Sequence, residues 1–132
     1  MGYLKIYLLT ILIFTAIDFL WVGMIAKSWY QKELGFLLVD SVQWIPILLF
    51  YLIYPVALIL FCIHPSLKID SWQQAALYGA FLGFIAYAAY DLTNLATIRN
   101  WPLKLAICDM LWGSFVSSLT SFLVFILTKR FA

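Results

Sequence analysis

Three aspartates, Asp18, Asp91 and Asp109, lie inside stretches that are otherwise apolar enough to cross a membrane. Burying a carboxylate in hydrocarbon costs free energy, so an aspartate in such a place usually has a partner that stabilises it or a function that requires it. Carboxyl groups in this setting can carry a proton, bind a cation, or act as a general acid or base. If the three meet without a cation, they cannot all be ionised at neutral pH.

The elements that must position these acids are predicted membrane-spanning helices. Of the 132 residues, 66% are hydrophobic and 11% are charged, and the mean hydropathy is +1.02. Soluble domains carry about 25% charged residues, so this composition is typical of an integral membrane protein. Four spans are predicted, at about residues 3–26, 42–63, 72–97 and 102–128, each long enough for a bilayer core. The predicted fold is all-α, a single transmembrane domain over residues 1–132 that forms a four-helix bundle, with the first span uncleaved.

Local signals mark the boundaries of these spans. Asp40 and Ser41 are predicted to cap the second span, and Ser71 has capping-box spacing for the third. Pro65 is expected to follow the end of the second span. The connection over residues 27–41 mixes apolar, aromatic and charged side chains, so it is predicted to form a short helix in the membrane interface.

Counting along the helices places the three acids at nearly one depth. Each lies seven or eight residues from the same face of the bundle, which is roughly 10–12 Å below that interface. The candidate binding residues around them are Trp21, Tyr51, Tyr87, Asn94 and Trp112. Asp91 is expected to be the main charged group, with Asp18 and Asp109 sharing its protons and Asn94 orienting them. The rings of Trp21, Trp112 and Tyr87 would form walls that contact a cation.

Small residues and tryptophans suggest how the helices pack. Gly79 and Gly83 have GxxxG spacing, which predicts that the third span is central in the bundle. Trp44 and Trp101 are interpreted as interface anchors or core filler. A simpler interpretation stays open for the small residues and the three aspartates. The small residues would serve packing alone, and each aspartate would form a hydrogen bond with a local neighbour to fix the helix register.

A short sequence repeat links the first and fourth spans. Asp18 to Trp21 and Asp109 to Trp112 both have the pattern D-x-L-W. The two helices should run in opposite directions, so an inverted repeat of the kind found in transporters is one explanation. Chance is the other, because the composition is so biased.

Several motifs together resemble a known family. They are YDLTN at residues 90–94, Ala96-Thr97, Trp101-Pro102, and DxxWG at residues 109–113, with Asp18, Trp21, Gly35 and Trp44 similar as well. In these the chain resembles the bacterial family of predicted membrane proteins called domain of unknown function 2177, over nearly its whole length. The resemblance implies a four-helix bacterial inner-membrane protein, and it implies no activity.

Three functions remain open on the sequence alone. The leading hypothesis is a small transporter or binding protein whose carboxylate cluster binds protons, cations or a small polar molecule. The first alternative is an intramembrane lipid-modifying enzyme or accessory subunit, although no Ser–His pair, histidine cluster or phosphate loop supports a reaction. The second is a structural membrane scaffold. Enzymatic activity and a metal site therefore stay undecided, and no cofactor is expected.

The expected surroundings follow from the same composition. The partners are the lipid bilayer and a small molecule or cation, with a homodimer as an open alternative. Basic residues are few and scattered, which argues against nucleic acid. Both termini are expected in the cytoplasm, although lysines and arginines are shared equally between the two faces and the positive-inside rule does not decide.

Overall fold

The computed structural model describes residues 2–38 and 43–131. Within these residues, four helices are long and apolar enough to cross a membrane, and we call them spans one to four: Tyr3–Met24, Trp44–Lys68, Trp72–Thr97 and Leu103–Phe131. A shorter connector helix, Lys27–Leu34, follows span one. The described residues contain no strand. The predicted all-α, four-helix membrane bundle is thus confirmed.

Span two is longer than predicted. It consists of an α-helix over Trp44–Leu58, a π-helical turn over Ile59–Ile63 and a short α-helix over His64–Lys68. Pro65 lies in the first turn of the last segment, where a missing N–H is tolerated. The expectation that Pro65 follows the end of the helix is therefore wrong.

The ends of the other spans agree with their local sequence. At the start of span three, the Ser71 Oγ accepts a hydrogen bond from the Gln74 backbone N at 3.1 Å, as its spacing predicts. Asn100, with a φ of 63°, turns the chain between spans three and four, a conformation that asparagine tolerates better than most residues. The predicted caps Asp40 and Ser41 lie outside the described residues.

Spans three and four pack closely along a stripe of small residues. A Cβ at Gly83 would collide with the backbone carbonyl oxygen of Gly113. One turn away, the Ser114 Oγ donates to the carbonyl oxygen of Ala80 at 2.9 Å. Such close backbone approach is the usual result of small residues at a membrane helix interface.

Span four, not span three, is the centre of the bundle. It packs against each of the other three spans, and a larger share of it is buried than of any other span. Span three packs mainly on span four and on the last part of span two. The GxxxG glycines therefore mark one close contact, and the predicted central place of span three is wrong.

Span two leans across the bundle. Its first part, Trp44–Leu58, packs mainly on span one, whereas the π-helical turn Ile59–Ile63 and the segment His64–Lys68 pack on span three. The first part of span two therefore stands away from span three. This leaves an opening between spans two and three at the end of the bundle that carries the acids.

Candidate functional site

The three intramembrane aspartates lie at one level of the bundle. Asp18 is six residues before the end of span one, Asp91 six before the end of span three, and Asp109 six after the start of span four. At the helical rise, that is about 9 Å below the helix ends. Only 5% of the surface of Asp18 and 0% of that of Asp91 is exposed, while Asp109 is half-buried.

Asp18 has a donor for each of its carboxylate oxygens. The Tyr51 hydroxyl donates to Oδ2, and the Trp112 indole Nε1 donates to Oδ1 at 2.8 Å. Hydrogen bonds to an ionised acceptor are stronger than neutral ones. The Asp18 carboxylate therefore joins spans one, two and four, and both predicted neighbours contact this acid directly.

Asp109 is bonded to the connector helix. The Tyr30 hydroxyl donates to Asp109 Oδ1 at 2.7 Å, and the Trp21 Nε1 donates to the Tyr30 oxygen at 3.1 Å. Burial, followed by the nearby Asp109 carboxylate, raises the pKa of Tyr30 above its ordinary value. Tyr30 therefore stays a neutral phenol that can donate to Asp109.

The two D-x-L-W motifs are in contact, and the tryptophan of each is linked to the aspartate of the other. The rings of Trp21 and Trp112 stack with centroids 4.7 Å apart and planes 13° apart. Trp112 of one motif donates to Asp18 of the other, and Trp21 is linked through the Tyr30 hydroxyl to Asp109. The short repeat therefore has a physical use in the bundle, whatever its origin.

The third acid, Asp91, differs from the other two in its hydrogen bonding. Neither of its carboxylate oxygens has a hydrogen-bond donor within the described part of the chain. The group faces the Asp109 carboxyl and the Trp101 indole, and the Trp101 Nε1 lacks an acceptor there as well. Two facing carboxyl groups in an apolar setting repel each other when both are ionised, so the pair is suited to hold a proton or to attract a cation.

No protein cation neutralises these acids in residues 2–38 and 43–131. The ion pair found there joins Lys129 Nζ to Asp70 Oδ1 at 3.1 Å, near the opposite face of the bundle. Within the same ranges, no group of three or more His, Cys, Asp or Glu side chains could hold a metal ion. Among the three acids, Asp91 and Asp109 face each other, and Asp18 is connected to Asp109 through the stacked rings of Trp112 and Trp21.

Two clefts meet at Asp109. One, of about 370 Å³, opens between spans two and three and is lined by Phe50, Ala86, Tyr87, Tyr90 and Asp109. The other, of about 260 Å³, lies under the connector helix and is lined by Val22, Tyr30, Leu34, Leu38, Tyr90, Trp101, Leu105 and Asp109. Asp109 and Tyr90 border both clefts, so Asp109 is the acid that a ligand would meet first.

The remaining predicted site residues are only partly brought to the acids. The Tyr87 ring lies against Gly113 and lines the cleft between spans two and three. The Asn94 side chain lies beside the Tyr90 hydroxyl, and it forms no hydrogen bond with the three acids in the described residues. The predicted orienting role of Asn94 thus has no contact to support it.

Sequence reasoning missed three residues of the site. Tyr30 was part of the predicted interfacial helix, Tyr90 precedes Asp91 in YDLTN, and Phe50 is one of many apolar residues of span two. Trp101 is only 9% exposed and packs with Leu34 of the connector helix, so of its two predicted roles it fills the core and is not an interface anchor. Tyr90 and Trp101 belong to the motifs YDLTN and Trp101-Pro102, and this membership was the available signal.

Comparison with known proteins places the chain in a family without giving it an activity. A family model described as "Predicted membrane protein (DUF2177)" matches residues 3–126. This match confirms the resemblance drawn from the sequence motifs. No curated protein and no solved structure matches the chain.

Proposed function

We propose that this chain, which belongs to the DUF2177 family of predicted membrane proteins, is a small transporter or binding protein that takes up protons or a cation at Asp91 and Asp109. The observation that carries the proposal is the Asp91 carboxyl, which is fully buried, lacks a donor among the described residues and faces a second acid. Intramembrane acids of this kind commonly mark ion pathways and proton relays.

The three acids have different roles in this proposal. Asp18 holds the helices together through Tyr51 and Trp112. Asp109 contacts the ligand because it lines both clefts. Asp91 and Asp109 share a proton, and a bound cation displaces it. This distribution replaces the expectation that Asp91 is the main charged group, with Asp18 and Asp109 sharing its protons.

Aromatic rings support binding of a cation rather than a neutral solute. Phe50, Tyr87 and Tyr90 line the cleft that holds Asp109, and Trp101 lines the second cleft. Ring faces attract cations by about 0.5–2 kcal/mol each, most strongly where water is excluded. An acid pair with aromatic walls is therefore suited to an organic cation or to protons.

Proton and cation exchange in proteoliposomes tests this function. An imposed tetramethylammonium gradient should drive proton movement, recorded with a pH-sensitive dye trapped inside. Asp91→Asn should abolish the proton movement, since an amide cannot exchange a proton with Asp109. Asp70→Asn, a change in an exposed acid paired with Lys129, is the matched control and should retain it. Wild-type flux in Asp91→Asn would remove the transport hypothesis.

The topology in the cell is part of the same proposal. The four spans are an even number, so residues 3 and 131 lie at one face of the bundle, and we place that face in the cytoplasm of a bacterial inner membrane. Membrane-impermeant thiol reagents on intact cells, applied to single cysteines introduced at Lys5 and Lys104 in a chain whose Cys62 and Cys108 are replaced by serine, should label only position 104.

A lipid-modifying enzyme is the second candidate. It is favoured by the position of Asp109, about 9 Å below the helix ends and beside a cleft open between spans two and three. There the two acids could serve as general acid and base on a lipid that enters the cleft. Lipid analysis of a deletion strain separates the candidates, because an enzyme changes a lipid species whereas a transporter changes tolerance to cations.

A further inference from the structure

We infer that the ligand of the acid pair is a membrane-dissolved amphiphile with a cationic head group and a long hydrocarbon tail, which enters sideways between spans two and three. The inference rests on the proposed function for the acid pair. It adds the ligand class and the access route. Three observations carry it: the lateral opening, an apolar groove that continues from it, and the charge of the lining.

The opening follows from the lean of span two. Its first part packs mainly on span one and its last part on span three, so the two spans separate toward the level of the acids. Phe50 of span two and Tyr90 of span three face each other across the resulting cleft of about 370 Å³. Because both spans belong to the outer wall of the bundle, this cleft is open to the hydrocarbon.

A second, larger groove adjoins this cleft on the same side of the bundle. It measures about 450 Å³ and is lined by Phe61, Cys62, Leu77, Tyr78, Phe81, Leu82 and Ile85. Leu82 lines the groove, and Ala86, one helical turn further along the same face of span three, lines the cleft. From Leu77 to Tyr90 the two extend over about 20 Å of span three. That length suits an extended hydrocarbon tail below a head group.

The charge of the lining selects the head group. Asp109 is the one charged residue among those that line the cleft and the groove. Its neighbour Asp91 has no donor in the described part of the chain. A cationic head beside Asp109 would meet a complementary charge and aromatic rings, whereas an anionic head would be repelled.

Photo-crosslinking tests both the ligand class and the route. The probe is a hexadecylamine with a diazirine at the tail end, added to the full chain in nanodiscs of zwitterionic lipid. The matched neutral probe is the corresponding hexadecanol. Mass spectrometry counts adducts on residues 77–85, relative to adducts on the exposed face of span one. The amine should give about tenfold more groove adducts than the alcohol, the ratio that ~1.4 kcal/mol of head-group attraction gives.

Variants separate the head-group site from the tail groove. Asp109→Asn should reduce the amine's groove adducts to the level of the alcohol, although the change lies far from the labelled residues. Leu77→Trp should reduce them by filling the groove. Leu8→Trp is the control, since Leu8 is also exposed and lies five residues from the start of its span, as Leu77 does.

Each outcome bears on one claim. Equal labelling by amine and alcohol in the wild type would overturn the inference. If tetramethylammonium drives Asp91-dependent proton movement while groove adducts stay at the level of the alcohol, the inference fails and the proposed function stands. If neither the proton movement nor the labelling depends on the acids, both fail.

Discussion

At the scale of single residues, the three acids of one layer differ by their donors. Asp18 receives a hydrogen bond on each oxygen, whereas Asp91 receives none among the described residues. A carboxylate with two donors is stabilised where it lies, and one without donors is free to exchange a proton or a ligand. The residue type alone could not separate these roles, because the donors come from distant parts of the chain.

Removing a donor of Asp18 should destabilise the bundle. In Tyr51→Phe, one carboxylate oxygen is left buried without its hydrogen bond, which should cost about 1–3 kcal/mol. Heating in detergent, followed by circular dichroism, should show a lower midpoint of unfolding. Tyr78→Phe is the control, because Tyr78 is an exposed tyrosine of the same bundle. Equal midpoints for the two variants would contradict the structural role of Asp18.

Replacing Asp91 should not lower the stability of the bundle, in contrast to replacing Tyr51. In Asp91→Asn, a carboxyl that faces another acid becomes an amide that can donate to Asp109, so the midpoint of unfolding should stay the same or rise. Function should be lost in the same variant. A drop in stability as large as that of Tyr51→Phe would show that Asp91 serves the fold instead.

At the scale of the helices, close packing of spans three and four fixes where the acids meet. Gly83 lies against the Gly113 backbone, and Gly113 lies against the Tyr87 ring. These contacts hold Asp91 and Asp109 on facing helices at one level. The glycine spacing predicted this close contact, but it could not show that the other faces of span four are covered as well.

A methyl group at Gly83 should therefore separate the two spans. The added Cβ of Gly83→Ala collides with backbone, which cannot rotate away, and overpacking of this kind costs about 1–3 kcal/mol. In Gly23→Ala the new Cβ meets nothing within 4 Å, so the stability should be unchanged or slightly higher. Thermal unfolding of both variants in the same detergent decides between them, and equal stability would contradict the packing.

The docking of the connector helix on span four should depend on the Tyr30 hydroxyl. Tyr30 joins Lys27–Leu34 to Asp109, so Tyr30→Phe should loosen this helix and open the cleft beneath it. Amide hydrogen exchange of residues 27–34 should become faster, while exchange in span four stays slow. Unchanged exchange in the connector would show that apolar packing around Leu34 holds it without the hydrogen bond.

At the scale of the whole molecule, the sequence predicts what depends on composition and helical period. The four spans, the Ser71 cap and the common depth of the acids all follow from local pattern. The partners of the acids do not, because Tyr30 and Trp101 lie outside the apolar runs and reach the site only through the fold. The lean of span two and its π-helical turn likewise depend on packing between helices, which periodicity does not encode.

In the proposed function, Asp91 and Asp109 share a proton and are reachable from the lipid, whereas Asp18 is a structural acid whose hydrogen bonds are filled by the protein. A lipid-soluble carbodiimide, which modifies protonated carboxyl groups in membranes, tests it directly when the adducts are located by mass spectrometry. We expect modification at Asp109 or Asp91, none at Asp18, and protection by a bound organic amine. Modification of Asp18 at the same rate, or none at the pair, would contradict it.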